Sequence, residues 1–248
     1  MAHVAIVGAG VMGTALAWPL SDNGHRISLI GTPVDRDIIE AASSRYVHPK
    51  LGRTLPEGVT PYYVEQLETA LRDAEIIVSG VNSWGVDWMA DALADTLDRG
   101  RDVIAVTKGF RADADGEVKI FPRVLAERVP PGVRERSSFM AIGGPCIAGE
   151  LAGRRQSCVV FAAEEREAAE RTARLFRTGY YHVWSSSDLR GLELSVALKN
   201  AYVLGVGIAN GMLEAAGGVD EAGAAMHNAA AATFSQALYE MEQLLTAL

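Results

Sequence analysis

Cysteine is scarce in this sequence. Only Cys146 and Cys158 occur among 248 residues. Two cysteines cannot build a disulfide framework, and their scarcity fits a reducing compartment. A basic surplus is also missing, because 23 Lys and Arg face 31 Asp and Glu for a formal net charge of −8. Without a global positive field no nucleic-acid partner is expected, and a phosphate-bearing ligand needs a local basic site. Histidine is sparse too, at five residues. None forms an i,i+4 pair and no H-E-x-x-H occurs, so no metal centre is expected. The N-terminus lacks a basic leader, and its apolar stretch breaks at Gly8. No uninterrupted apolar run approaches the roughly 20 residues of a membrane span. A cytoplasmic protein with no membrane insertion is expected.

What is present is an alternation. Short, nearly continuous apolar runs occur at His3–Val7, Arg26–Ile30, Val59–Tyr62, Ile76–Ser79, Val103–Val106, Phe139–Ile142, Cys158–Ala162 and Tyr181–Trp184. Such runs suit strands covered on both faces. Helical patterns separate them: Val11–Asn23, Val34–Ser43, Val64–Arg72, Trp88–Leu97, Val118–Arg128 and Glu165–Phe176. This alternation predicts βαβ units in a parallel sheet. Beyond Ser187 no strand pattern remains. Asp188 can cap a helix, and helices are predicted over about 188–213, about 219–231 and on to the end. The predicted division is an α/β domain over 1–187 and an all-helical domain over 188–248.

Chemistry concentrates at four places. Val4–Val7 runs into Gly8-Ala9-Gly10-Val11-Met12-Gly13 and then a helix. In this strand–G-x-G-x-x-G–helix setting Gly8 permits the tight turn, Gly10 lets a pyrophosphate approach, and Gly13 lets helix and strand pack. The helix start favours the phosphates. After the second strand comes Gly31-Thr32-Pro33-Val34-Asp35-Arg36, with neither charge immediately at the strand end, so NAD and NADP stay equally open. Lys108-Gly109 follows the Val103–Val106 run, at the strand end where open α/β sheets bind ligands. Lys199 sits mid-helix among apolar residues, where a lysine is expensive unless paired or facing a cavity, and partial burial tunes it for acid–base work. Gly143-Gly144-Pro145-Cys146-Ile147-Ala148-Gly149-Glu150 has the look of a ligand-contact turn. Cys146 there reads as a small lining residue or a thiol. Trp84 and Trp88 read as core or cofactor-wall residues.

Together these segments resemble NAD(P)-dependent glycerol-3-phosphate dehydrogenase. The resemblance rests on Gly8–Ala17, Thr107-Lys108-Gly109, Gly144–Glu150 and Glu193-Leu194-Ser195-Val196-Ala197-Leu198-Lys199-Asn200. It implies a doubly wound Rossmann-type N-terminal sheet followed by an all-helical C-terminal domain, here incomplete and serving substrate binding and dimerisation. It implies reversible hydride transfer between NAD(P)H and dihydroxyacetone phosphate, giving sn-glycerol 3-phosphate for glycerophospholipid synthesis, in a cytoplasmic homodimer.

By the same resemblance Lys199 is the proton donor and acceptor, and Lys108 is the second catalytic lysine. Gly8, Gly10, Val11, Met12, Gly13, Thr32, Lys108 and Ala148 contact the cofactor. Lys108, Gly144, Cys146, Lys199 and Asn200 contact the substrate. The family commonly has Ser at the place of Cys146, an aromatic at Met12 and a basic residue at Thr32. Two alternatives stay open: a ketopantoate reductase-like enzyme using the same helical Lys-Asn pair, and a non-catalytic dinucleotide-binding relative.

Overall fold

A computed structural model describes residues 1–113, 115–218 and 227–247. The chain divides into two compact units, Met1–Glu193 and Leu194–Leu248.

The apolar runs form an eight-stranded sheet because each supplies two faces. In β1 (His3–Val7) Val4 and Ile6 enter one core, while Ala5 and Val7 enter another. The same parity holds in β6 (Ile76–Ser79), where Ile76 and Val78 oppose Ile77, and in β7 (Asp102–Ala105), where Ile104 opposes Val103 and Ala105. Successive side chains of a strand point to opposite faces, so a run covered on both sides must be apolar throughout. One core is closed by helices α2 (Ala17–Asp22), α3 (Arg36–Arg45), α8 (Ala148–Ala152) and α9 (Arg166–Phe176), through Leu20, Ile39, Leu151 and Ala169. The other is closed by α4 (Leu67–Leu71), α5 (Val86–Thr96), α6 (Phe121–Arg128) and α7 (Pro131–Arg134), through Leu71, Met89, Leu125 and Val133. Helices on both faces make the sheet doubly wound.

The remaining sheet strands are β2 (Arg26–Ile30), β5 (Val59–Tyr62), β10 (Ser138–Gly143), β11 (Ser157–Ala163) and β12 (Tyr181–Ser186). The order is β12-β11-β10-β7-β6-β1-β2-β5. From β10 to β5 all pairs are parallel, with β1 at the reversal of strand order. All eight strands coincide with predicted ones, but the sheet is not wholly parallel. Strand β11 pairs antiparallel to β10 and parallel to β12. The reason lies in the connection. Helix α8 has five residues, about 8 Å of rise, too short to carry the chain back along a six-residue strand of about 20 Å.

Some predicted helices are also altered. The Val11–Asn23 pattern is broken at Leu16 into α1 (Val11–Ala15) and α2. Pro19 lacks the N–H that would bond Ala15, and its ring crowds that carbonyl. Val118–Arg128 is helical only from Phe121. Val118–Ile120 is instead strand β9, paired antiparallel with β8 (Phe110–Ala112). Its β-branched residues favour a strand, and Pro122 favours a helix start just there. A second small hairpin joins β3 (Val47–His48) to β4 (Arg53–Thr54).

The long helix α10 (Leu189–Ala215) starts under a cap from Asp188, whose Oδ1 accepts the Gly191 N–H at 2.8 Å. It continues into the second unit, where its partner is α11 (His227–Ala247). Gly205 lets the two approach, since a Cβ there would lie 3.3 Å from Cγ2 of Thr233. The predicted helix over 219–231 lies outside the described residues up to 226, and from His227 it is one with α11. Helix α10 is long and apolar enough to cross a bilayer by length and composition. The expectation from uninterrupted runs overlooked this, because Glu193 and Lys199 interrupt the run without ending the helix.

Candidate functional site

The glycine loop is shaped by three glycines in mutual contact. Gly8 has φ +109°, and a Cβ on it would lie 2.7 Å from the carbonyl carbon of Gly80. A Cβ on Gly13 would lie 2.8 Å from the Gly8 oxygen, and one on Gly80 2.9 Å from the same atom. Helix α1, the loop and the end of β6 therefore interlock only without side chains. Gly80 was missed by sequence reasoning; its signal is a glycine directly after a buried strand.

Gly10 differs. Its φ is −67°, and a Cβ there would meet only the Gly80 oxygen, at an ordinary 3.7 Å. No protein neighbour requires glycine at this position. The space it leaves open lies at the start of α1, where the first-turn N–H groups lack helical partners. A dinucleotide pyrophosphate fits that cradle.

Two side chains from distant segments hold Ala9 within the loop. Oδ2 of Asp35 accepts the Ala9 N–H at 3.2 Å, the Thr32 N–H at 3.0 Å and the Thr32 hydroxyl at 2.7 Å. Asp35 is the N-cap residue of α3, yet its carboxylate turns to the loop and caps nothing in its own helix. Buried His48 completes the grip, with Nε2 2.8 Å from the Ala9 oxygen and Nδ1 accepting the Leu51 N–H at 3.1 Å. That acceptor role fixes the proton on Nε2, which donates to Ala9. Neither residue stood out in the sequence as part of the loop. Thr32 is buried, Val11 is exposed and Met12, within α1, packs on the core.

The other candidates of the first unit follow neighbouring strands at the same edge. Lys108 is exposed just beyond β7. Thr107 before it donates its hydroxyl to the Val81 oxygen at 2.6 Å, tying the ends of β6 and β7 together. Gly109 after it has φ +140° and lies against the Phe121 ring, where a Cβ would be 2.8 Å from Cε2. The Gly144 turn leaves β10 with φ +144°, and a Cβ on Gly144 would lie 2.6 Å from the Cys158 oxygen. Ala148 opens α8, which packs against α1. The strand ends thus bring together the glycine loop, Lys108 and the Gly144–Glu150 turn. Exposed Trp84 lies at this edge as well, after β6. The reading of it as a core residue is corrected: its short turn points it to solvent.

Electrostatics separate the titratable groups. Burial pushes the Cys146 thiol up, while a hydrogen bond with Ser157 and the Lys108 charge pull against that shift. Cys146 is accordingly a neutral, half-buried lining group. Glu193, at the end of the first unit, is 1% exposed. Burial raises its pKa to about 8 against the opposing pull of the Phe121 backbone N–H, and its Oε2 has no partner among the described residues. Lys199 and Asn200 lie in α10 within the second unit, and both are exposed. Among the described residues nothing covers Lys199, so the expected partial burial is not seen there. Among the described residues no cluster of His, Cys, Asp and Glu could hold a metal.

Comparison with known proteins agrees with this arrangement. Residues 3–169 match the family model described as NAD-dependent glycerol-3-phosphate dehydrogenase N-terminus. The chain is 34% identical over 245 residues to the NADP(+)-dependent glycerol-3-phosphate dehydrogenase of Archaeoglobus fulgidus, covering 99% of this chain and 70% of the relative. It is 31% identical over 215 residues to the glycerol-3-phosphate dehydrogenase [NAD(P)+] of Bacillus cereus, covering 86% of this chain and 60% of that protein. The crystal structure of glycerol-3-phosphate dehydrogenase from Coxiella burnetii shares the fold at a TM-score of 0.77, with 24% identity over 99% of this chain and 69% of that one. By its glycine loop, its strand-end constellation and these matches, the chain belongs to the NAD-dependent glycerol-3-phosphate dehydrogenase family.

Proposed function

We propose that this chain carries the dinucleotide-binding and proton-transfer residues of an NAD(P)-dependent glycerol-3-phosphate dehydrogenase. The reaction is reversible hydride transfer between NAD(P)H and dihydroxyacetone phosphate, giving sn-glycerol 3-phosphate for glycerophospholipid synthesis. The observation that carries this reading is the shared edge where the glycine loop, Lys108 and the Gly144–Glu150 turn follow adjacent strands. Family membership and the names of the relatives support it.

The nicotinamide supplies hydride chemistry when bound, and the protein supplies the rest. The loop from Gly8 to Gly13 holds the pyrophosphate, with Val11 and Met12 contributing free N–H groups, and Thr32 and Ala148 border the cofactor. Lys108 attracts the anionic substrate and stabilises negative charge on its carbonyl oxygen. Gly144 and Cys146 shape the substrate turn. Lys199 donates a proton to that oxygen in reduction and accepts one from the hydroxyl in oxidation, with Asn200 contacting the substrate beside it. The helical segment 188–248 serves substrate binding and dimerisation of a cytoplasmic homodimer, and the dinucleotide-binding segment spans 1–187.

The test follows nicotinamide absorbance with dihydroxyacetone phosphate, ketopantoate and simple 3-keto acids. Oxidation of NAD(P)H with dihydroxyacetone phosphate alone is the expected result. Lys199→Ala should lower kcat by about 10²–10⁴. Turnover of ketopantoate instead, or full activity of that variant, would overturn the substrate or the proton-transfer assignment.

A further inference from the structure

The strand end that decides between NAD and NADP is occupied differently from what the sequence spacing suggests. Asp35 is the acid nearest β2, but the residue is buried and its Oδ2 already serves Ala9 and Thr32. That oxygen is committed to the loop. Beside it opens a small cavity of about 170 Å³ at the ends of β2 and β5, lined by Thr32, Arg36, Ile39, Tyr63 and Glu65. Asp35 links Thr32, which lines this cavity, to Ala9 of the glycine loop by hydrogen bonds to both.

Arg36 is the cation of that cavity. Its guanidinium lies over the Tyr63 ring, 5.2 Å from the centroid, and Nη1 reaches Oε1 of Glu65 at 3.0 Å. Both side chains of the ion pair are exposed, 68% and 62%. An exposed pair in water is weakly held, so Glu65 is an exchangeable partner. A planar guanidinium supported on an aromatic face presents two parallel donors to a phosphate. Arg36 is also the first residue of α3, so an anion at its head lies beside a helix N-terminus as well.

We propose that Arg36 is the specificity-determining residue for the cofactor: it binds the 2′-phosphate of an NADP-type dinucleotide by exchanging Glu65 for it, and the chain prefers NADP(H) to NAD(H). The proposal rests on the dinucleotide-binding reading of the glycine loop. Glu65 tempers the preference, because its carboxylate competes with the incoming phosphate and repels it.

Calorimetric titration of the full chain with 2′,5′-ADP, 5′-AMP, NADPH and NADH tests this without turnover. The 2′-phosphorylated member of each pair should bind at least about tenfold tighter, as one charge-assisted contact gives. Arg36→Ala should remove that difference while leaving 5′-AMP affinity within about twofold. Glu65→Gln should tighten 2′,5′-ADP binding. Added salt should weaken the phosphorylated ligands selectively. Equal binding of the paired ligands by the unaltered chain, or a preference that survives Arg36→Ala, would overturn the proposal and leave the glycine-loop reading intact. Failure of all four ligands to bind would overturn the glycine-loop reading itself.

Discussion

The imidazole of His48 donates from Nε2 to the carbonyl oxygen of Ala9 across 2.8 Å, although 39 residues separate them in the chain. Asp35 takes the N–H of the same residue from 26 residues away. Both polar groups of Ala9 are thus satisfied by side chains outside the loop, and the backbone facing the cofactor is set before any ligand arrives. Such preorganisation avoids an ordering cost on binding.

His48→Ala removes a buried donor and leaves the Ala9 oxygen and the Leu51 N–H without partners. A loss of about 2–3 kcal/mol in unfolding free energy is expected, read by urea denaturation. Dinucleotide affinity should fall with it, in calorimetry at a temperature where the variant is folded. Unchanged affinity in the folded variant would show that the loop holds its shape without His48.

Two glycines of the loop should respond oppositely to alanine. Gly8→Ala places a Cβ 2.7 Å from backbone of Gly80 at a positive φ, and backbone cannot yield as a flexible side chain can. This variant should lose several kcal/mol of stability. Gly10→Ala meets only an ordinary contact at 3.7 Å and should melt near the parent, yet bind NAD(P)H at least about tenfold more weakly. Paired melting and binding measurements distinguish the two. A Gly10→Ala variant with parental affinity would remove the reason given for that glycine.

Tyr181 is fully buried, and its hydroxyl has no partner among the described residues. Burial, together with the nearby Cys146, pushes that hydroxyl further from ionisation. Tyr181→Phe deletes only the unpaired oxygen, so stability should hold or rise by about 1 kcal/mol. Destabilisation on denaturation would mean that the hydroxyl has a partner in solution.

Glu193 makes stability depend on pH. Its carboxyl titrates at about 8 in the folded chain against an ordinary 4.5, so the folded state holds the proton more tightly than the unfolded one. The stabilisation is complete below pH 4.5 and is lost progressively as pH rises to about 8. Relative to Glu193→Gln, the parent should therefore lose up to roughly 5 kcal/mol across that window and no more above it. Melting temperatures of both proteins at steps from pH 4 to pH 9 follow the divergence. Parallel curves would place the carboxylate in contact with water or a cation.

Much of the α/β unit is legible in the sequence. Val4–Val7, Ile76–Val78 and Val103–Ala105 are apolar on both parities, as strands covered on two faces are. Gly8, Gly10 and Gly13 at the first strand–helix junction were readable for the same reason: local geometry demanded them, and the demand is written within six residues.

What tertiary structure decided are the relationships between distant segments. Apolar patterning carries no strand direction, so the reversal of β11 against β10 depended on the short reach of α8. Asp35 and His48 resemble an ordinary cap and a stray histidine until folding brings both to Ala9. Arg36 gained its meaning only when β5 placed Tyr63 and Glu65 beside it. Periodicity and turn chemistry act between near neighbours along the chain and determined the elements of this protein. Hydrogen bonds and ion pairs across tens of residues depend on how those elements pack, and they decided the shape and selectivity of its site.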